Sequence, residues 1–476
     1  MTTINALFPV AFLAVGGCLV LLLDVFLPKL PKRWLSVFAL AALAACGFAL
    51  AGLWDKGASF FEGMLVWDDF GLFFGFVFLL AAGFTVLLAL AYNVSMRIPS
   101  GEFLGLLLFA ASGLLVMVSS GNLIMAFLGL EVVSIASYAL AGLNRADGRS
   151  TEAALKYFLL GSFSGAFLVL GLALLNGTAG SLEIATIIAL FRSPLGASAL
   201  AWVGLALVLI GFFFKIAIVP FHMWVPDVYE GSPTPVTAFF SVGPKAAGFV
   251  VLFRLLTPAL GEGLGAPLLR TIVAVLAAAT MLVGSLVALR QTNVKRLLAY
   301  SSIANAGYML IAVLSEDASG LAFFLAAYLF MSFGAFGALA ALNGGGRETH
   351  ELDDLAGLGF RSPWIGSLLA VFMISLAGFP PTAGFLAKFY VFSTAVREGW
   401  TVLVLIAVAA SLISAFYYLR VVVALFMRDP AKGTQVDFKN PALFLVLFLC
   451  LYGVLQLGIL PGNVLVVIRQ AVAGLF

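Results

Sequence analysis

The sequence predicts an all-α integral membrane fold that crosses the bilayer about fourteen times. Three observations carry this. Hydrophobic residues make up 63% of the 476-residue chain and charged residues only 10%, against roughly 25% in a soluble domain. Mean hydropathy is +1.15. Apolar runs of the ~20 residues needed to span hydrocarbon recur along the whole length, with short polar loops between them. So apolar a chain has no surface to offer water, and lipid is its solvent. The 49 glycines and 45 phenylalanines fit a helical bundle in which glycine lets helices approach closely.

Spans fall near 4–27, 35–54, 69–92, 102–119, 122–143, 152–176, 198–221, 233–257, 268–289, 297–314, 319–342, 364–396, 401–427 and 441–468. A further segment, Ser181 to Phe191, is too short to cross and is expected at the interface. Met1 to Pro9 carry no positive charge and the run to Phe26 is long enough to span, so no cleavable signal is expected. Cys18, Cys46 and Cys450 lie inside apolar runs and read as small buried hydrophobes. His222 and His350 are too far apart to build a metal site. The net charge of +3 argues for no charged partner, and no soluble domain is present to hold a nucleotide or a flavin.

Orientation follows from lysine and arginine in the short loops. One side collects Lys29, Lys32, Arg33, Arg97, Arg145, Arg149, Arg290, Lys295, Arg296, Arg347, Arg361, Arg428, Lys432 and Lys439. The other collects Lys56, Arg192, Arg254, Arg270 and Arg397. Fourteen against five makes the odd-numbered loops cytoplasmic and places both termini outside. The loop from Arg347 to Pro363, with Glu348, Glu351, Asp353 and Asp354, reads as solvated, or else as a contact surface.

The informative charges are those left inside spans: Lys156, Lys215, Lys245, Lys388 and Arg420, with Glu131 as the one deep acid. Each basic group costs about 2.5–3.5 kcal/mol at mid-membrane on insertion scales, and an intramembrane ionisable residue points to a functional path. Lys156 and Arg420 lie near enough to their span ends to snorkel instead, and a static ion pair is the alternative for the other three. One acid cannot serve three central lysines permanently. A free lysine holds its proton to about pH 10.4, roughly 4.6 kcal/mol from release at pH 7, which is the size of such a burial cost. Glu131 at ~4 Å would attract a lysine by about 4 kcal/mol at an effective dielectric of 20, and doubling the distance halves this. Opening and closing such a pair makes a proton switch. Ser134 and Tyr138 share the face of Glu131, either as path groups or as ordinary helix–helix hydrogen bonds.

Two spans are broken by proline beside a lysine. In 211–222, Lys215 precedes Pro220 by five residues; in 376–388, Gly-Phe-Pro380-Pro381 precedes Lys388 by seven. Proline removes a backbone donor, and irregular backbone at that depth survives only when buried or lining a cavity. Paired interruptions in two halves of a chain suggest inverted repeats with the ion path at the breaks. His222 follows the first break, where it either transfers protons or caps backbone carbonyls.

These stretches carry a resemblance. Lys215 to Lys245, including Val-Tyr-Glu-Gly-Ser-Pro-Thr-Pro-Val and Gly-Pro-Lys245, resembles the antiporter-like membrane subunits of proton-translocating NADH–quinone oxidoreductase (respiratory complex I), the N-subunit family in particular. Leu289 to Tyr308 and Glu351 to Leu358 are similar to the same family, and the likeness runs from about Gly101 to Tyr418. The resemblance implies a proton relay of Glu131, Lys215, Lys245 and Lys388, with Lys156, His222 and Tyr308 as further path residues. It implies an N-terminal three-helix segment (1–100), a first five-helix repeat (101–257), an inverted second repeat (258–427) and a C-terminal helix (428–476). It also implies a hetero-oligomer with other membrane subunits amid lipid and no nucleic-acid partner. NADH, FMN, iron–sulfur clusters and quinone belong to the other subunits, and none to this chain. A bacterial plasma membrane is the implied home, with a chloroplast left open.

Two rival readings remain at this stage. One is a subunit of a multi-subunit sodium/proton antiporter, many of which resemble this chain but carry glutamate where Lys388 stands. The other is a passive membrane scaffold, which would gain nothing from about 3 kcal/mol of buried charge per lysine.

Overall fold

The computed structural model describes residues 3–193, 197–261, 265–342, 348, 350–429 and 440–475. In chain order, α1 (Thr3–Phe26) and α2 (Lys32–Ala51) lead into a small hairpin, β1 (Ala58–Phe60) and β2 (Leu65–Trp67). Then come α3 (Asp69–Ser95), α4 (Ser100–Val118), α5 (Leu123–Ala141), α6 (Gly148–Ala179) and the short α7 (Ile184–Arg192). The first broken span supplies α8 (Ala199–Ile216) and α9 (Trp224–Gly231), followed by α10 (Thr234–Gly261), α11 (Ala266–Ala288), α12 (Val294–Leu314) and α13 (Ala318–Ala340). After the single turn α14 (Leu358–Arg361), the second broken span supplies α15 (Pro363–Ala377) and α16 (Ala383–Arg397). The chain ends with α17 (Thr401–Met427), α18 (Pro441–Ile459) and α19 (Gly462–Ala473).

Among the described residues, thirteen helices are long and apolar enough to cross a membrane, and α15 and α16 are shorter than these. Large apolar side chains such as Phe48, Phe163, Val402 and Leu412 lie exposed on the flanks, where a membrane protein meets lipid. The interior is built on α10, α12 and α13, which are buried along nearly their whole lengths. Helix α10 packs on α3, α4, α8, α12 and α13 at once. Any charge on its inner turns is therefore sealed off from solvent.

Both breaks have a local cause. Helix α8 stops because Ala217 turns left-handed (φ 65°), its N–H donating to the Phe213 and Phe214 carbonyls. A left-handed residue closing on the last turn is a common way to end a helix. Val219 N–H, freed at the break, donates to Thr280 Oγ1 of α11 at 3.0 Å, and the Val219–Pro220 peptide is cis. Helix α15 stops at Gly378 (φ 90°) and is followed by a cis Pro380–Pro381 peptide. Gly384 then brings α16 back so close that a Cβ there would stand 1.8 Å from the Ser375 carbonyl oxygen.

Five expectations need correction. Cys18, read as a small buried hydrophobe, is exposed. The hairpin was not expected; it pairs antiparallel from Ala58–Trp67 to Phe60–Leu65. Asp68 beside it caps α3 by accepting from Gly71 N–H at 2.7 Å. The run 441–468 is not one helix, because Leu460 and Pro461 separate α18 from α19. Arg254 is no loop charge: it lies inside α10 and pairs with Asp68 at 2.7 Å. Lys295 and Arg296 are no loop charges either, since α12 begins at Val294. Arg347, Lys432 and Lys439 lie outside the described residues.

Because the second break closes against a backbone oxygen, Gly384→Ala should cost about 1–3 kcal/mol or more and lower the melting temperature of the purified protein. Gly462→Ala, with no atom within 4 Å of its new methyl, should leave it unchanged.

Candidate functional site

Three of the buried lysines share one kind of socket. Lys215, in the last turn of α8 and only 2% exposed, donates to Ser134 Oγ (2.9 Å) and Tyr157 Oη (3.1 Å). Lys245, on α10 and also 2% exposed, donates to Ser302 Oγ (2.5 Å) and the Ser302 carbonyl (3.0 Å). Lys388, on α16, donates to Ser411 Oγ (2.9 Å) and to the Leu376 and Ala377 carbonyls (3.2 and 3.0 Å). Each amine also lies over a tyrosine ring: Tyr157 at 5.2 Å, Tyr229 at 5.9 Å and Tyr308 at 5.2 Å. Among the described residues no carboxylate forms an ion pair with any of the three.

Two of the sockets lie at the helix breaks. The last carbonyls of a helix have no intrahelical donor and carry the negative end of its dipole. Lys388 lies on such carbonyls at the end of α15, while Lys215 sits at the end of its own helix. A hydroxyl and a π-face supply the rest, the latter worth about 2 kcal/mol when desolvated.

Glu131 does not meet Lys215 directly. Its half-buried carboxylate faces Gly165 of α6, where an added Cβ would stand 3.2 Å from Oε1. Lys215 sits instead on Ser134, one turn along α5. Ser134 donates a hydrogen bond to the Leu130 carbonyl (2.6 Å), so it is both a helix hydrogen bond and a lysine ligand. Tyr138 packs its ring edge-on to Tyr157 at 4.8 Å. Tyr157 is held flat on Trp224 (4.3 Å, 4°).

The remaining expected residues are peripheral to varying degrees. Lys156 is in the rim at one face, its side chain 41% exposed and paired with Glu152 (2.6 Å) and Asp227 (2.7 Å). Arg296 joins Asp227 (2.7 Å) and Glu230 (2.9 Å). Burial pushes the Asp227 carboxyl up, but hydrogen bonds from Lys156 and Arg296 outweigh it and hold the group below its ordinary value. His222 is half-buried just past the cis Pro220, and its buried Nδ1 has no side-chain partner among the described residues. Tyr308 supplies the ring beneath Lys388. A cavity of about 490 Å³, lined by Gly378, Phe385, Phe392 and Ser411, opens beside Lys388. The void beside Lys215 is about 10 Å³, room for one water at most.

The intramembrane arginines behave differently. Arg420 donates to the Leu289 carbonyl (2.8 Å) and the Gln291 carbonyl, closing the end of α11. Arg254 donates to the Val118 carbonyl (3.0 Å), closing the end of α4. Guanidinium does not give up its proton in proteins, so these two are static caps.

Sequence reasoning singled out Ser134 and Tyr308 but missed Tyr157, Tyr229, Ser302 and Ser411, and socket partners lie 57 to 80 positions from their lysine in several cases. It also missed Lys295, which is 0% exposed and paired with Glu348 at 2.9 Å. The loop around Glu348 is therefore not simply solvated: His350 is 6% exposed. Among the described residues no group of three or more histidine, cysteine, aspartate or glutamate side chains is arranged to hold a metal ion.

The chain is similar to known proteins in sequence and fold. The family described as NADH:quinone oxidoreductase/Mrp antiporter, transmembrane, matches residues 120–414. NADH-quinone oxidoreductase subunit N of Trichlorobacter lovleyi is 42% identical, with 98% of this chain and 97% of that protein covered. Subunit N 2 of Roseiflexus castenholzii is also 42% identical, covering 95% and 93%. A chain in the structure of respiratory complex I from Thermus thermophilus with bound aureothin superposes with a TM-score of 0.83 at 36% identity, covering 96% of this chain and 98% of that one. A chain of the Mrp complex from Dietzia (TM-score 0.85, 21% identity, 100% and 98% covered) shares the fold.

The contrast between cap and socket can be measured without any activity. Removing a buried charge that lacks a counter-ion relieves desolvation, whereas removing a cap orphans a carbonyl at about 1–3 kcal/mol. Lys245→Met should therefore hold or raise the melting temperature of the purified protein, and Arg420→Met should lower it.

Proposed function

Because this chain belongs to the NADH:quinone oxidoreductase/Mrp antiporter transmembrane family, we propose that it is the N-type membrane subunit of a proton-translocating NADH–quinone oxidoreductase. It works in a hetero-oligomer with other membrane subunits and takes the multi-subunit sodium/proton antiporter role no further than a shared fold. Its reaction is proton transfer across the membrane, coupled to quinone reduction elsewhere. NADH, FMN, iron–sulfur clusters and quinone are held by its partners, and this chain contributes protonatable side chains only. It lies in a bacterial inner membrane with about fourteen crossings, its odd-numbered loops cytoplasmic and both termini outside.

The single observation that carries the reading is the repeated lysine socket of hydroxyl and ring, with backbone carbonyls added at Lys245 and Lys388 and no carboxylate ion pair among the described residues. A permanent counter-ion would pin the proton; dipoles hold an ammonium yet let it go. A passive scaffold has no use for three such groups.

The relay runs along Glu131, Lys215, Lys245 and Lys388, with Lys156, His222 and Tyr308 in lesser roles. Glu131 and Ser134 are three residues apart on α5, about 4.5 Å along the axis. Lys215 on Ser134 is the open state of the pair. A swing of one turn towards Glu131 closes it and gains up to about 4 kcal/mol at an effective dielectric of 20, which draws a proton to Lys215. Reopening frees that proton for Lys245. The wider cavity beside Lys388 suits the exit. The two lysine-bearing breaks, in α8–α9 and α15–α16, fall in the proposed repeats 101–257 and 258–427, with 1–100 and 428–476 flanking them.

Lys245→Ala in the assembled complex, checked by native gel, should abolish most proton pumping in sealed vesicles and slow quinone reduction with it. Wild-type values for both would make Lys245 structural and remove the relay.

A further inference from the structure

A fourth fully buried lysine stands outside the relay just described. Lys295, in the first turn of α12, is 0% exposed, yet it differs from the other three in having a carboxylate. Its Nζ donates to Glu348 Oε2 (2.9 Å) and to the Ser232 carbonyl (2.6 Å). Glu348 Oε1 accepts from Thr234 Oγ1 (2.8 Å) and from the Tyr92 hydroxyl. His350 Nε2 lies 3.0 Å from Glu348 Oε2, while its Nδ1 is buried and has no hydrogen-bond partner among the described residues. A carboxylate, an imidazole and an amine are thus in direct contact in a nearly closed site.

The site is in line with Lys245. Lys295 and Ser302 are seven residues apart on α12, two turns on one face and about 10 Å along the axis. Ser302 is the ligand of Lys245, and Tyr229 Oη lies 3.5 Å from the same hydroxyl. Helix α9, the turn before α12 and the segment 350–357 meet at the face that carries the Lys156–Asp227–Arg296 rim.

We propose that Lys295, Glu348 and His350 form a proton-loading station that feeds Lys245 from the face of the rim; this rests on the relay reading above. His350 Nδ1 takes a proton from water as its Nε2 proton passes to Glu348 Oε2, leaving a neutral imidazole and a carboxylic acid. Lys295, stripped of its counter-ion, releases a proton inward by way of water, Tyr229 and Ser302. The Glu348 O–H bond then breaks and the Lys295 N–H bond re-forms, restoring carboxylate and ammonium, and a flip of the imidazole ring brings its N–H back to face Glu348. A static clamp, the rival role for these residues, needs the charge pair but no proton exchange.

The test is Glu348→Gln in the assembled complex, with pumping and quinone reduction measured in H2O and D2O beside Lys245→Ala. Loading predicts a loss of at least about tenfold, a larger solvent isotope effect than wild type, and partial rescue by Glu348→Asp. Normal rates and isotope effect in Glu348→Gln, with Lys245→Ala inactive, would overturn the station while the relay stands. Normal pumping in Lys245→Ala would overturn the relay itself. If Glu348→Gln fails to assemble, His350→Gln decides, since its amide can still bond Glu348 but cannot pass a proton. A slowed, isotope-sensitive His350→Gln supports loading, and an unchanged one refutes it.

Discussion

An ammonium ion in hydrocarbon must be surrounded by dipoles, and much of this fold follows from that requirement. A regular helix cannot supply them, because its backbone groups are spent on one another. The chain breaks α15–α16 and leaves carbonyls free for Lys388, and it ends α8 at Lys215, whose amine takes the hydroxyls of Ser134 and Tyr157. Lys245 has no such break. It takes its carbonyl and hydroxyl from Ser302 on the neighbouring α12, which obliges α10 and α12 to lie in the buried centre of the bundle.

The same constraint separates the lysines from the arginines. Arg254 and Arg420 also lie on the carbonyls of helix ends. They do so with groups that keep their protons, and they tie α10 to α4 and α17 to α11. Lysine on a hydroxyl and a ring is held less firmly and is free to lose its charge. The fold thus uses the two basic side chains for different work: arginine to fasten helix ends, lysine to occupy sockets of hydroxyl and ring. In the proposed relay, Glu131 and Glu348 vary the charge felt by those lysines.

Much of this was legible in the sequence, and the limits were physical. Lys215, Lys245 and Lys388 stood out because each interrupts an apolar run, and Pro220 and Pro380–Pro381 marked the breaks by lacking a donor. Hydropathy could not reveal Lys295, which begins a helix next to a polar loop and so read as a loop charge. Nor could it reveal Glu348, whose partners Tyr92, Thr234 and Lys295 come from three different helices. The pairing of Glu131 with a lysine is not made at Lys215, whose amine lies one turn away on Ser134. Serine at helical spacing is too common to signal a lysine ligand. The hairpin and the division of the last span at Leu460–Pro461 were missed because each involves only a few residues.

The central claim is that the buried lysines act by releasing protons and not by carrying charge. Lys245→Arg in the assembled complex tests this most directly, since guanidinium keeps the charge and can still donate to Ser302 but holds its proton. The account predicts an assembled complex whose proton pumping in sealed vesicles is lost. Pumping at the wild-type rate would mean that a fixed positive charge suffices, and would contradict it.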